Sequence, residues 1–131
     1  MKALTICQPY ASLIAIGEKR CENRMWPTNI RGRIAIHAGK SREWLRSYPY
    51  KTPDQMPFGA VVATAELIDC VELSKVTPES RFGWLLGHMH AEGPFCFVLE
   101  HVQMLAEPIP FRGAQGFFFI PDHLMAPQTV M

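Results

Sequence analysis

GRIAIHAG, residues 32–39, limits the fold more than any other stretch of this chain. Its period of two puts Ile34, Ile36 and Ala38 on one side and Ala35 and His37 on the other. A strand with one strongly apolar side must lie in a sheet with a covered face. Other runs supply strands for that sheet. ALTIC (3–7) is short, GAVVATAELIDC (59–70) is long and apolar with room for a bend, PFCFVLEHVQML (94–105) follows, and FFFIP (117–121) closes. Between the first two strands, QPYASLIAIG reads as a helix of about two turns. Pro9 suits the first helical turn, Tyr10, Leu13 and Ile14 form an apolar i, i+3, i+4 face, and Gly17 suits a left-handed C-terminal cap. SREWLRS is a second short helix with Ser41 as its cap, and Thr77-Pro78-Glu79 is a third helix-start signal. YPYKTPDQMPF (48–58), with three prolines, and EPIPFRGAQG (107–116) read as loops. Strands and short helices in this order make no regular βαβ alternation. The expected class is α+β, a small, mixed, partly closed β-barrel with short helices on its flank.

A chain of 131 residues fits one domain, expected over 1–122 with a loose tail at 123–131. No apolar run approaches the ~20 residues of a membrane-spanning helix, and the apolar part of MKALTICQPYA is short for a signal peptide. The expectation is a cytoplasmic protein with no membrane partner, with a monomer favoured. Cysteines 7, 21, 70 and 96 form no C-x-x-C pair, so a cysteine zinc site is not expected; no cofactor is expected either. Cys70 and Cys96 lie in apolar runs and read as core. Only Cys21, beside Arg20, has the basic setting of a reactive thiol.

The net charge of +1 conceals a strong division: residues 1–46 carry nine basic and three acidic side chains, whereas 47–131 carry four and nine. A basic first third fits a face that attracts an anion, nucleic acid being the common case. At its centre stands GEKRCENR, residues 17–24. Strand alternation puts Arg20, Glu22 and Arg24 on one face, with Cys21, Asn23 and Met25 on the other. Lys19, in the turn, can swing toward Glu22. A carboxylate between cations stays ionised, and the group offers donors to a phosphate and an acceptor to a base amine. Trp26 follows and can stack on a base.

With its flanks, this stretch resembles the ASCH domain, the activating-signal-cointegrator homology family. Gly17, Lys19, Glu22 and Arg24 match the fixed positions of its G-x-K-x-x-E-x-R motif. Gln8-Pro9-Tyr10-Ala11-Ser12-Leu13, Trp26, Arg31-Gly32-Arg33, GAVVATAELIDC and PIPFRGAQGFFFI resemble the other segments in order, over residues 3–120. The resemblance implies a PUA-like barrel and a cleft where Lys19, Glu22 and Arg24 gather, and it implies RNA or other nucleic-acid binding. Some members are enzymes: one group deacylates N4-acylcytidine with a lysine, a threonine and a glutamate, and another member is a ribonuclease. The threonine position of the deacylases is Glu22 here, so that triad does not carry over.

The candidate binding set is therefore Lys19, Glu22, Arg24, Trp26 and Tyr10, with Arg31, Arg33 and His37 as further phosphate contacts. Lys19 as base and Glu22 as acid are the catalytic candidates if the chain is a hydrolase acting on RNA or a modified nucleoside. A protein-interaction module without a nucleotide site is the third reading. His88 and His90 have the spacing of a metal pair but only Glu92 nearby, so no metal is expected. Trp44 reads as a core anchor, and Phe117–Ile120 as core.

Overall fold

The computed structural model describes residues 1–125. Among these residues, six strands form one curled half-barrel sheet: β1 (Lys2–Ile6), β2 (Cys21–Arg24), β3 (Gly32–Ala38), β4 (Ala60–Glu72), β5 (Phe95–Pro110) and β6 (Phe117–Phe119), in the order β2-β5-β4-β3-β1-β6. The β1–β3 pair is parallel and the others are antiparallel. Among the described residues three short α-helices flank the sheet: α1 (Tyr10–Ala15), α2 (Glu43–Ser47) and α3 (Asp122–Met125). The class is α+β, as the sequence led us to expect. None of these helices is long and apolar enough to cross a membrane.

Curling follows from irregular pairing of the two longest strands. Bulges sharpen local twist and bend a strand away from its partner. Glu66 and Thr64 of β4 pair with Glu100 and Gln103 of β5, which leaves one extra β5 residue between them. His101 sits there with φ 51°, in the left-handed region. Farther along, Val61–Ala63 faces Met104–Ile109, a wider excursion of β5. Strand pairing continues to Pro110, through residues 107–110 that the sequence assigns to a loop.

The alternation of β3 is realised. Ile34, Ile36 and Ala38 join Leu4, Phe97 and the α1 residues Ala11 and Ile14 in one buried cluster. Ala35 packs on the opposite face with Ala3, Val61, Ile120 and Met125. A third cluster, Cys21, Cys96, Val98, Phe82 and Leu85, lies under the 3-10 turn Gly83–Gly87. Thr77-Pro78-Glu79 opens only hydrogen-bonded turns, with Ser80 and Gly83 amides bonding three residues back, so no α-helix follows it. Two terminal readings change as well. Phe119 is exposed at the end of β6, opposite the exposed Lys2, although it shares a face with Phe117. Residues 122–125, mostly within the expected loose tail, form α3, with Met125 buried against the second cluster; the rest of that tail lies outside the described residues.

His37 is fully buried on the opposite face, its ring edge-on to Phe118. Its Nε2 meets the carbonyl of Phe111 at 2.6 Å, so Nε2 carries a proton and donates it, and Nδ1 lies 3.0 Å from Thr5 Oγ1. The clasp ties β1, β3 and the segment after β5 together. Gly113 passes so close that an added Cβ would come within 2.6 Å of Thr5 Oγ1 and 2.8 Å of the His37 ring. Gly113→Ala is therefore expected to cost about 1–3 kcal/mol by overpacking, measured by urea denaturation.

Candidate functional site

The local fold of residues 13–24 builds the site. α1 stops at Gly17, whose φ of 86° suits glycine. The Gly17 amide bonds the Ile14 carbonyl, and those of Glu18 and Lys19 both bond that of Leu13, the pattern of a Schellman cap. This reversal tucks Lys19 under α1 before the chain enters β2. Strand β2 pairs Glu22 with Phe97 and Arg24 with Phe95. Both side chains therefore take the face of Phe97, and Asn23 takes the other.

On that face the motif closes into an ion cluster. Lys19 Nζ donates to the Cys21 carbonyl at 2.6 Å and lies 3.4 Å from Glu22 Oε1. Arg24 Nη2 lies 2.9 Å from Glu22 Oε2 and donates to the Thr5 carbonyl at 2.7 Å. Only 3 % of the Lys19 side chain and 10 % of that of Glu22 are exposed, so this is a largely desolvated cluster rather than a surface pair. Arg24 Nε is buried and finds no acceptor. A donor in that state costs about 1–3 kcal/mol, which the guanidinium's bonds to Glu22 and Thr5 offset.

Lys19 and Glu22 line a cavity of about 210 Å³ with Tyr10, Trp44, His90 and Cys7 among its walls. That is smaller than the ~300–1,000 Å³ of pockets for drug-sized ligands. Lys19 Nζ lies 5.6 Å from the Tyr10 ring centre. Asn23, from behind, clamps the fourth wall: its amide nitrogen donates to the His90 carbonyl and its oxygen accepts from the amides of Glu92 and Gly93. Burial first, then the positive charge of Lys19, hold His90 below the usual imidazole range. Burial first, then the Glu22 carboxylate, push the Cys7 thiol up, away from the nucleophilic thiolate.

Other sequence candidates fall elsewhere. Arg24 stands behind Glu22 rather than in the cavity wall, and Trp26 leans on Phe97 and Phe117 with about a third of its surface exposed. Arg31 pairs with Asp69 at 3.2 Å at the outer end of β3. Arg33 donates to Thr64 Oγ1, on the same sheet face as His37 and opposite Glu22. His37, buried in its clasp, does not line the cleft. Arg20 also leaves the cluster. It precedes β2, so strand parity does not bind it, and its guanidinium stacks 3.8 Å over Trp84. Cys21 is buried, its thiol raised by a hydrogen bond with Cys96 and by burial, so it is no reactive cysteine.

The sequence missed the roles of Trp44, His90, Asn23 and Cys7. Trp44 is half exposed and lines the cavity instead of anchoring the core, because α2 has no buried side chain. The rings of His88 and His90 pack edge-on at 5.6 Å, and His88 Nε2 accepts the Arg20 amide. Among the described residues no group of three or more His, Cys, Asp or Glu is placed to hold a metal ion.

A curled half-barrel whose first helix and first edge strand bring a lysine and a glutamate into the wall of one small cavity, with an arginine behind the glutamate, defines the class of β-domain. Comparison with known proteins gives the family: the ASCH domain matches residues 4–108, and the chain belongs to that family, which is generally associated with RNA binding. Human activating signal cointegrator 1 is 29% identical over 123 residues, covering 84% of this chain and 20% of that protein, and the mouse protein gives the same figures. The chain thus spans about a fifth of the length of these curated relatives. Among solved structures, the ASCH protein from Zymomonas mobilis superposes with a TM-score of 0.61 at 16% identity, covering 98% of this chain and 96% of that one. A variant of the same protein gives 0.60 at 17%. At this identity the likeness concerns the fold.

Proposed function

We propose that this chain binds single-stranded or flipped nucleotides, RNA foremost, with one base in the small cavity. The observation that carries this reading is the Lys19–Glu22 pair in the wall of a concavity of about 210 Å³, with Arg24 behind Glu22. Glu22 accepts from a base amine, its second lone pairs being free once Lys19 and Arg24 hold one oxygen each. Lys19 donates to a base or phosphate acceptor. Tyr10 and Trp44 supply aromatic walls, and a base stacked on such a ring gains ~1–3 kcal/mol. Arg24 acts through Glu22, which it holds in place. A concave, charged cavity argues against a protein-interaction module that lacks a nucleotide site.

Hydrolysis finds less support in the same geometry. Acyl transfer needs a nucleophile beside a base. Lys19 Nζ faces a carbonyl and a carboxylate and serves both as a donor. Thr5 Oγ1 is engaged by His37, and Ser12 Oγ by Gln8. Fluorescence anisotropy with short labelled RNA and DNA, titrated with salt, tests the binding reading. Lys19→Ala is expected to weaken RNA binding at least ~10-fold, about 1.4 kcal/mol, with Arg24→Ala weakening it to a similar degree. Folded variants that bind as tightly as the parent would overturn it.

A further inference from the structure

The small cavity does not end the concave surface. Tyr10, in its wall, packs edge-on to Tyr48 at 5.9 Å, and Tyr48 to Tyr50 at 5.7 Å. This row of rings leads into a second, larger cavity of about 860 Å³, where Tyr48, Tyr50 and Lys51 form one wall and Met104 and Leu105, at the β5 excursion, form another. The segment that carries these rings interleaves aromatic with basic residues: Lys40, Arg42, Trp44, Arg46, Tyr48, Tyr50, Lys51. Lys40, Arg42, Arg46 and Lys51 are exposed. None of them forms an ion pair among the described residues. The Arg42 guanidinium is seated 3.9 Å over Phe58. Over residues 40–54 four cations face two carboxylates, Glu43 and Asp54. Glu18 lies at the Tyr48 side of the larger cavity, where it raises the phenol further after burial.

We infer that residues 40–51 form a strand-tracking arm, so that the ligand is a single-stranded nucleic-acid chain of several nucleotides rather than a free nucleoside. The inference rests on the small-cavity reading above. One base enters the small cavity between Tyr10 and Trp44, and its neighbours stack along Tyr48 and Tyr50. The phosphates meet Arg46 and Lys51. Aromatic rings beside a cationic track are what sequence-tolerant single-strand binding requires. The carboxylates of Glu18 and Asp54 keep phosphate away from the inner wall of the larger cavity and accept from base amines there.

The test compares cytidine and adenosine monophosphates with a mixed-sequence RNA of about eight nucleotides, using the full chain. The RNA is expected to bind roughly 10- to 100-fold tighter than either monophosphate. Tyr50→Ala, at a ring that lines only the larger cavity, removes most of that advantage and leaves monophosphate affinity unchanged; Tyr50→Phe retains it. Arg46→Ala and Lys51→Ala, both outside the small cavity, each lower the salt slope of RNA binding by about 0.7. If the monophosphates bind and the RNA gains nothing, the arm is wrong and the cavity reading stands. An advantage that survives the alanine variants with an unchanged salt slope also overturns the arm. If neither ligand binds, the cavity reading fails and takes the arm with it.

Discussion

Glu22→Ala is expected to destabilise the protein by about 3–5 kcal/mol, the cost of leaving buried charge without its partner. The carboxylate is the hub of its cluster: one oxygen serves Lys19 at 3.4 Å and the other serves Arg24 at 2.9 Å. The Lys19 side chain is only 3 % exposed, so water cannot replace what the mutation removes. Glu22→Gln keeps the shape and one acceptor, so it should cost less than Glu22→Ala while still weakening nucleotide binding. Urea denaturation with an unchanged slope checks the first figure. A loss below about 1 kcal/mol would mean that the cluster behaves as a solvated surface pair. The expected pattern joins fold and function, because the charge that would read the ligand also secures the turn from α1 into β2.

His37→Ala is expected to cost a comparable amount, about 3–5 kcal/mol, through a different cause. The ring fills a site with 1 % exposure, and its removal leaves the Phe111 carbonyl and the Thr5 hydroxyl without their partner. His37→Phe should recover packing but not the hydrogen bonds, and fall between the two. RNA affinity of the folded fraction should be unchanged, because the histidine lies on the sheet face opposite Glu22. Thermal unfolding followed by circular dichroism, together with anisotropy at a temperature where the variant is folded, checks both parts. A selective loss of RNA affinity would return His37 to the binding surface.

The two residues show how far sequence reasoning reached. Period-two alternation put Glu22 and Arg24 on one face and Ile34 and Ile36 together, and the structure agrees, since alternation is a local consequence of the extended backbone. The glycine cap was readable too, because only a few patterns end a helix in the left-handed region. Parity failed for Arg20, one residue ahead of β2: its carbonyl still accepts from the Leu99 amide, but its guanidinium turns to the Trp84 ring. It also could not rank the two faces of β3. Both are covered, one by α1 and the other by α3 with Phe111 and Ile120, so His37 is core rather than cleft.

Residues that reach the cavity from distant segments were not legible. Trp44 sits on SREWLRS, which read as a short capped helix with Trp44 as a core anchor, yet α2 buries nothing. His90 and Glu92 arrive because Asn23 grips their backbone across 67 or more positions of chain, and no spacing rule encodes that contact. The excursion of β5 opposite Val61–Ala63, which opens the larger cavity, likewise depends on a pairing register set by two strands at once.

By itself the sequence determined the class of the fold, the turn at Gly17 and the grouping of lysine, glutamate and arginine, since each follows from backbone geometry within a few residues. Only the tertiary structure decided which face of each strand is covered, which charged groups lose their water, and which rings meet across the cavity. Burial and long-range contact are properties of the packed sheet, and no local stretch of chain contains them.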